Sequence, residues 1–145
     1  MVNIYRDAIK AAGGKTLLYS TWISAWGDPN EQEARTEQFI ELRDGVGGDD
    51  ISVVPVGQAW AAARLERPDL MLNNVEDGFH PGLYGHYLTS CVYYAAVTGK
   101  SPVGHPCHAT IAGQVPIPDE MAEFLQRIAW ETVQKYADRC NLQLD

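Results

Sequence analysis

Positive charge is scarce in this sequence: Lys and Arg total 11 against 19 Asp and Glu, a net charge of −8. An acidic surface repels phosphate backbones and anionic lipid headgroups, so neither nucleic acid nor a membrane is an expected partner. Cysteine is scarce too. Cys91, Cys107 and Cys140 are odd in number and far apart, which excludes the disulfide framework of a small secreted domain. The chain has no apolar opening run; Met-Val-Asn-Ile-Tyr-Arg-Asp carries charges where a signal peptide needs a hydrophobic stretch. Nothing in it directs export, and the compartment stays open. Pro81 to Gly99 carries no formal charge and approaches the length of a spanning helix. Glycine and proline at its start, with His86, Thr89, Ser90 and Thr98 along it, mark it instead as a buried helix of a globular domain. Internal repeats and low-complexity segments are absent as well.

What is present suits one folded domain. The chain has 145 residues, 46% of them apolar and 21% charged, enough for a single core and too few for two. Residues 3–12 place Ile4, Ala8, Ala11 and Ala12 on one helical face and stop at Gly13 and Gly14. Residues 15–21 form a short run whose continuous apolarity suits a parallel strand covered on both faces. After a loop over 22–27, Asp28, Pro29 and Glu31 give a helix start: an Asp cap, Pro at the first position and an acid three residues on. That helix is expected to run to about Arg43, with Phe39, Leu42 and Val46 on its inner side, before a run of glycines. A second strand over 51–55 and an alanine-rich helix over 57–67, stopped by Pro68, come next. A helix to Gly99 carries Tyr84, Leu88, Cys91 and Ala95 along one side. Residues 101–118 form an irregular crossing, and a last helix over 119–138 repeats Met121, Phe124, Leu125, Ile128 and Tyr136 at helical spacing.

Strands alternating with helices imply right-handed crossovers and a parallel sheet. Two strands are legible, and two parallel strands make a poor free-standing core. Residues 1–145 therefore read as a single, incomplete α/β domain, the second half of a three-layer arrangement.

In open α/β sheets ligands bind beyond the C-terminal strand ends. Here those ends lead into Thr21 and Trp22, into Val56 and Gly57, and toward the loop that carries Asp77 and His80. The D-x-x-H spacing has two readings. In one, the carboxylate orients the imidazole, which takes a proton from a serine and returns it to the leaving group. In the other, Asp77 and Gly78 make an ordinary turn while His80 and Pro81 cap the next helix. Trp22 and Trp26 sit at the same edge, placed either to stack on an acyl chain or sugar or to wall in the rest of the domain. Trp60 and Trp130 read as core. His86 reads as a packing histidine and Glu76 as a solvated acid. His105, Cys107 and His108 have zinc-binding chemistry, but a structural site needs four ligands and no fourth is evident, so no metal is assigned.

Asp77-Gly-Phe-His80-Pro-Gly-Leu-Tyr-Gly-His-Tyr-Leu88, followed by Cys91 to Pro102, resembles the final conserved block of the SGNH (GDSL-type) serine hydrolases. In that family Asp and His lie three residues apart just before the last core helix. Ala11 to Trp22 resembles the segment at the family's fourth core strand, Val53 to Trp60 the fifth, and Phe124 to Val133 the closing helix. The resemblance spans nearly the whole chain. It implies a three-layer, flavodoxin-like fold of which this chain is the C-terminal part, with about two parallel strands and five helices. It also implies ester hydrolysis through an acyl-serine, with Asp77 and His80 in the acid and base positions. No metal or organic cofactor is implied, and the substrate would be a small-molecule or carbohydrate ester.

One departure matters. The family's G-D-S nucleophile block, and the Gly and Asn that complete its oxyanion hole, have no counterpart. Ser20, Ser24, Ser52, Ser90 and Ser101 stand in neither G-D-S nor G-x-S-x-G, and Ser52 and Ser90 look internal to a strand and a helix. A triad without its nucleophile loses most of its rate enhancement, so the chain alone is expected to be a very poor esterase. The competing expectation is a non-catalytic module that associates, as a homo-oligomer or with another chain, through the exposed edge of its half-sheet.

Overall fold

The computed structural model describes residues 2–107 and 116–145. Its described elements are α1 (Val2–Ala11), β1 (Thr16–Tyr19), a 3-10 turn (Pro29–Glu31), α2 (Gln32–Val46), β2 (Ile51–Val54), α3 (Val56–Glu66), α4 (Leu83–Thr98) and α5 (Asp119–Cys140). The architecture is α/β: five helices and one two-stranded parallel sheet among the described residues. The strands pair in the register Thr16 to Ile51 through Tyr19 to Val54, with α2 as the crossover.

Local chemistry explains the element ends. Asp28 accepts a hydrogen bond from the Asn30 N–H at 2.9 Å, and Pro29 opens the turn that runs into α2. The helix does not stop at Arg43. It continues through Gly45 to Val46 and ends where Gly47 adopts φ +71°. The last helix also outruns its expected end, reaching Cys140 before Asn141 turns left-handed. The first strand is shorter than the apolar run that encodes it.

All four residues of β2 are buried, polar Ser52 included, whose hydroxyl donates to the Asn141 carbonyl. β2 touches α2, α4 and α5, while α4 lies along α5 and α3 packs against both. Val53, Val54, Trp60, Leu72, Leu88, Val92, Leu125, Ile128 and Val133 form the centre of the core. Trp130 packs against this core while staying half-buried.

Helix α1 departs from expectation. None of its residues is buried, and Ile4 and Tyr5 on its surface are 73% and 65% exposed. An apolar face becomes interior only when an element lies opposite it. Here charge holds the helix instead: Arg6 grips Asp50 with two hydrogen bonds of 2.8 and 2.7 Å, and Lys10 adds a third at 3.1 Å.

Gly85 marks a close approach that bears on the site. A Cβ there would lie 2.3 Å from the Leu72 carbonyl oxygen and 2.5 Å from the Trp60 ring, so the start of α4 rests directly on both. Gly85→Ala is expected to lower folding stability by about 1–3 kcal/mol through overpacking, against a helix-propensity gain of about 1 kcal/mol. Urea unfolding followed by tryptophan fluorescence measures it. An unchanged or raised midpoint would contradict this close approach.

Candidate active site

The segment between α3 and α4 folds back on itself. The Gly82 N–H donates to the Leu72 carbonyl at 2.8 Å, the Asn74 N–H to the His80 carbonyl at 2.6 Å, and the Gly78 N–H to the Asn74 carbonyl at 2.8 Å. Asn73 and Pro81 form an isolated antiparallel bridge across it. Gly78, at φ +64°, makes the reversal that a side chain would strain.

The dyad of one reading and the turn of the other both occur in this loop, while Gly82, not His80 and Pro81, caps α4. One carboxylate oxygen of Asp77 accepts from the Phe79 and His80 N–H groups at 2.7 and 2.8 Å, which is the turn. The other lies 2.9 Å from His80 Nδ1, which is the dyad. These contacts, led by the Phe79 N–H and then by the His80 ring, hold the Asp77 carboxyl down at about 2. Asp77 is therefore ionised over the working range and can only accept, so Nδ1 must be the donor. Nδ1 carries the proton, and in the neutral ring Nε2 carries the free lone pair. The His80 side chain is 81% exposed, and its one hydrogen bond among the described residues is to Asp77. It can take a proton from a hydroxyl brought within hydrogen-bond reach.

The segment leaving β1 holds this loop against the C-terminal end of the sheet. The Ala25 N–H donates to the Gly78 carbonyl at 2.9 Å, and Trp22 Nε1–H donates to the Phe79 carbonyl at 2.8 Å. The two tryptophans assigned to substrate sit differently. Trp22 is half-buried, stacked face to face on buried Trp60 at 4.0 Å and 7°, with its indole N–H already engaged. Trp26 is 74% exposed, lies over Gly78 and meets Phe79 edge-on at 5.4 Å. Of the two, Trp26 offers its ring to solvent beside the dyad.

The sequence left Arg64 unnoticed. From α3 it donates to the Ser24, Ala25 and Gly27 carbonyls at 3.1, 2.9 and 3.0 Å, securing the loop that carries Trp26. Its position four residues after Trp60 was the available signal, since that spacing puts both on one helix face. Asn74 was also missed; its side chain accepts from the Glu76 N–H at 2.9 Å.

Ser24 lies on the segment that holds this loop, its carbonyl accepting from Arg64, and the other serine hydroxyls bond elsewhere. Ser20 is fully buried against Thr36 at 3.2 Å, Ser52 donates to the Asn141 carbonyl, and Ser90 donates to the His86 carbonyl. Ser101 accepts from the Val103 N–H, and no serine hydroxyl hydrogen-bonds to His80 among the described residues. His86 is exposed on α4 rather than packed, and Glu76 is exposed. His105 and Cys107 are described, while His108 lies outside the described residues. Among the described residues no three His, Cys, Asp or Glu side chains converge as a metal site would require. No helix among them is long and apolar enough to cross a membrane.

No family model matches the chain, and no curated protein or solved structure matches it either.

The Asp77 carboxyl yields a pH test. Its folded value of about 2 lies below the ordinary carboxylate value of 3.8, so its stabilising contribution is complete above about pH 4 and fades as pH falls toward 2. Asp77→Ala should therefore melt below the wild type at pH 6, with the gap closing near pH 2. A gap independent of pH, or an Asp77 carboxyl carbon titrating near 4 by NMR, would refute this geometry.

Proposed function

We propose that this chain carries the base half of an SGNH-type serine ester hydrolase, within a three-layer, flavodoxin-like fold of which it forms the C-terminal part. One observation carries the reading: the Asp77 carboxylate bonded to His80 Nδ1 at 2.9 Å, at the C-terminal end of a parallel sheet. His80 accepts the proton of a serine as that serine attacks an ester carbonyl. It then returns the proton to the departing alcohol. Asp77 holds the tautomer and stabilises the imidazolium. The serine comes from outside the described residues. The substrate class is an acyl ester of a small molecule or carbohydrate, and exposed Trp26 is the side chain placed to flank it.

Hydrolysis of a short-chain p-nitrophenyl ester tests this in two preparations: the 145-residue chain, and the longest natural polypeptide that contains it. The chain alone should stay at background, with or without His80→Ala. The longest polypeptide should hydrolyse the ester and lose about 10³-fold or more of that rate on His80→Ala. No hydrolysis by that polypeptide, or a variant as fast as wild type, would overturn the proposal.

A second reading rests on the sheet. β1 pairs only with β2 among the described residues, and Leu17 is 38% exposed. An unpaired edge of this kind recruits a strand from another copy or another chain. Sedimentation velocity across a concentration series should reveal a dimer that Leu17→Lys weakens. A monomer at every concentration would remove self-association.

A further inference from the structure

We propose that Trp22 is a positioning residue for the Asp77–His80 pair, acting through the peptide group that joins Phe79 to His80. The proposal deepens the hydrolase reading and rests on it for its catalytic meaning, though not for its test.

That peptide group is clamped at both ends. Its oxygen, the Phe79 carbonyl, accepts from Trp22 Nε1–H at 2.8 Å. Its N–H, from His80, donates to the same Asp77 carboxylate that holds the ring, at 2.8 Å. Drawing electron density toward the carbonyl oxygen strengthens the N–H as a donor, because hydrogen bonds in a chain polarise one another. Trp22 thus reinforces one of the contacts that keep Asp77 ionised, and it fixes the plane from which the His80 side chain departs. A second donor reaches the same oxygen, Asn73 Nδ2, but at 3.4 Å and therefore weakly.

Trp22 can hold a position because it is itself held. Its ring lies flat on Trp60, which is 1% exposed and whose own Nε1–H donates to Thr89 of α4 at 3.1 Å. Tyr19, on β1, meets the Trp22 ring edge-on at 6.0 Å. The constraint on the dyad therefore starts in the core. This indole spends its N–H on the loop and one face on Trp60.

The test removes the N–H and keeps the ring. Trp22→Phe, and a protein carrying benzothienylalanine at 22, a same-shape ring without the N–H, are compared with wild type by ¹⁵N NMR of the His80 imidazole. The wild type should hold the Nδ1–H tautomer. Both variants should populate the Nε2–H tautomer measurably, and the Asp77 carboxyl should titrate about half a pH unit higher. Asn73→Ala should move neither signal comparably. If the folded benzothienylalanine protein keeps the wild-type tautomer and Asp77 titration, Trp22 does not position the pair. These readouts need no ester hydrolysis. Failure of the hydrolase reading would leave them intact, and failure of the positioning role would leave esterase activity standing.

Discussion

Trp60 lies fully buried on α3 with Trp22 flat against it, and the site hangs from that stack. Burying an indole and pairing it with another ring outweighs any single hydrogen bond on the loop: aromatic pairs contribute about 0.5–1.5 kcal/mol beyond the burial itself. The order of support runs outward from the core. The close approach at Gly85 seats α4 on Trp60, Trp60 supports Trp22, and Trp22 with Ala25 holds the carbonyls of Phe79 and Gly78. The Asp77–His80 pair comes last, exposed yet built on a buried foundation. Arg64, one helical turn beyond Trp60, fastens the intervening segment through three carbonyls.

Polar groups near the C-terminal end of β1 follow a different rule. Ser20, Thr36, Gln32 and Gln58 are buried and linked, Ser20 with Thr36 at 3.2 Å, Gln58 to Thr36 at 3.1 Å and Gln32 to the Thr21 carbonyl at 2.9 Å, while the Gln32 side-chain oxygen has no partner among the described residues. A buried donor or acceptor left alone costs about 1–3 kcal/mol, so a network of this kind holds its members to structural duty. That is why Ser20, although close in sequence to the site, is not free to act as a nucleophile. Farther out, Glu33 accepts from Gln58, Tyr136 and Arg139, tying α2 to α3 and α5.

The core helices and strands were legible because each carries its own periodicity. Ile51 to Val54 is apolar but for Ser52, and α5 repeats apolar residues at helical spacing. Asp28 and Pro29 announce a helix start by chemistry that needs only neighbouring residues. Helix α1 shows where such reading stops: Ile4, Ala8 and Ala11 form an apolar face, yet no element among the described residues buries it. Helix lengths were misjudged at Arg43 and Asp138 because a helix end depends on where the chain can turn left-handed, here at Gly47 and Asn141.

The site divides in the same way. The sequence offered the Asp77–His80 pairing as one of two readings of the D-x-x-H spacing, since residues three apart on a turn can meet. It also determined that the chain would form parallel α/β structure, whereas the burial of β2 and the partial exposure of β1, read as a covered strand, were decided by packing. Only the tertiary structure decided that Trp22 would face inward to the Phe79 carbonyl while Trp26 faced solvent, that Arg64 would fasten their loop, and that Ser20 would be sequestered. Those outcomes depend on contacts between segments tens of residues apart. Local spacing carries no record of which partner a ring or a hydroxyl will meet once the core has closed.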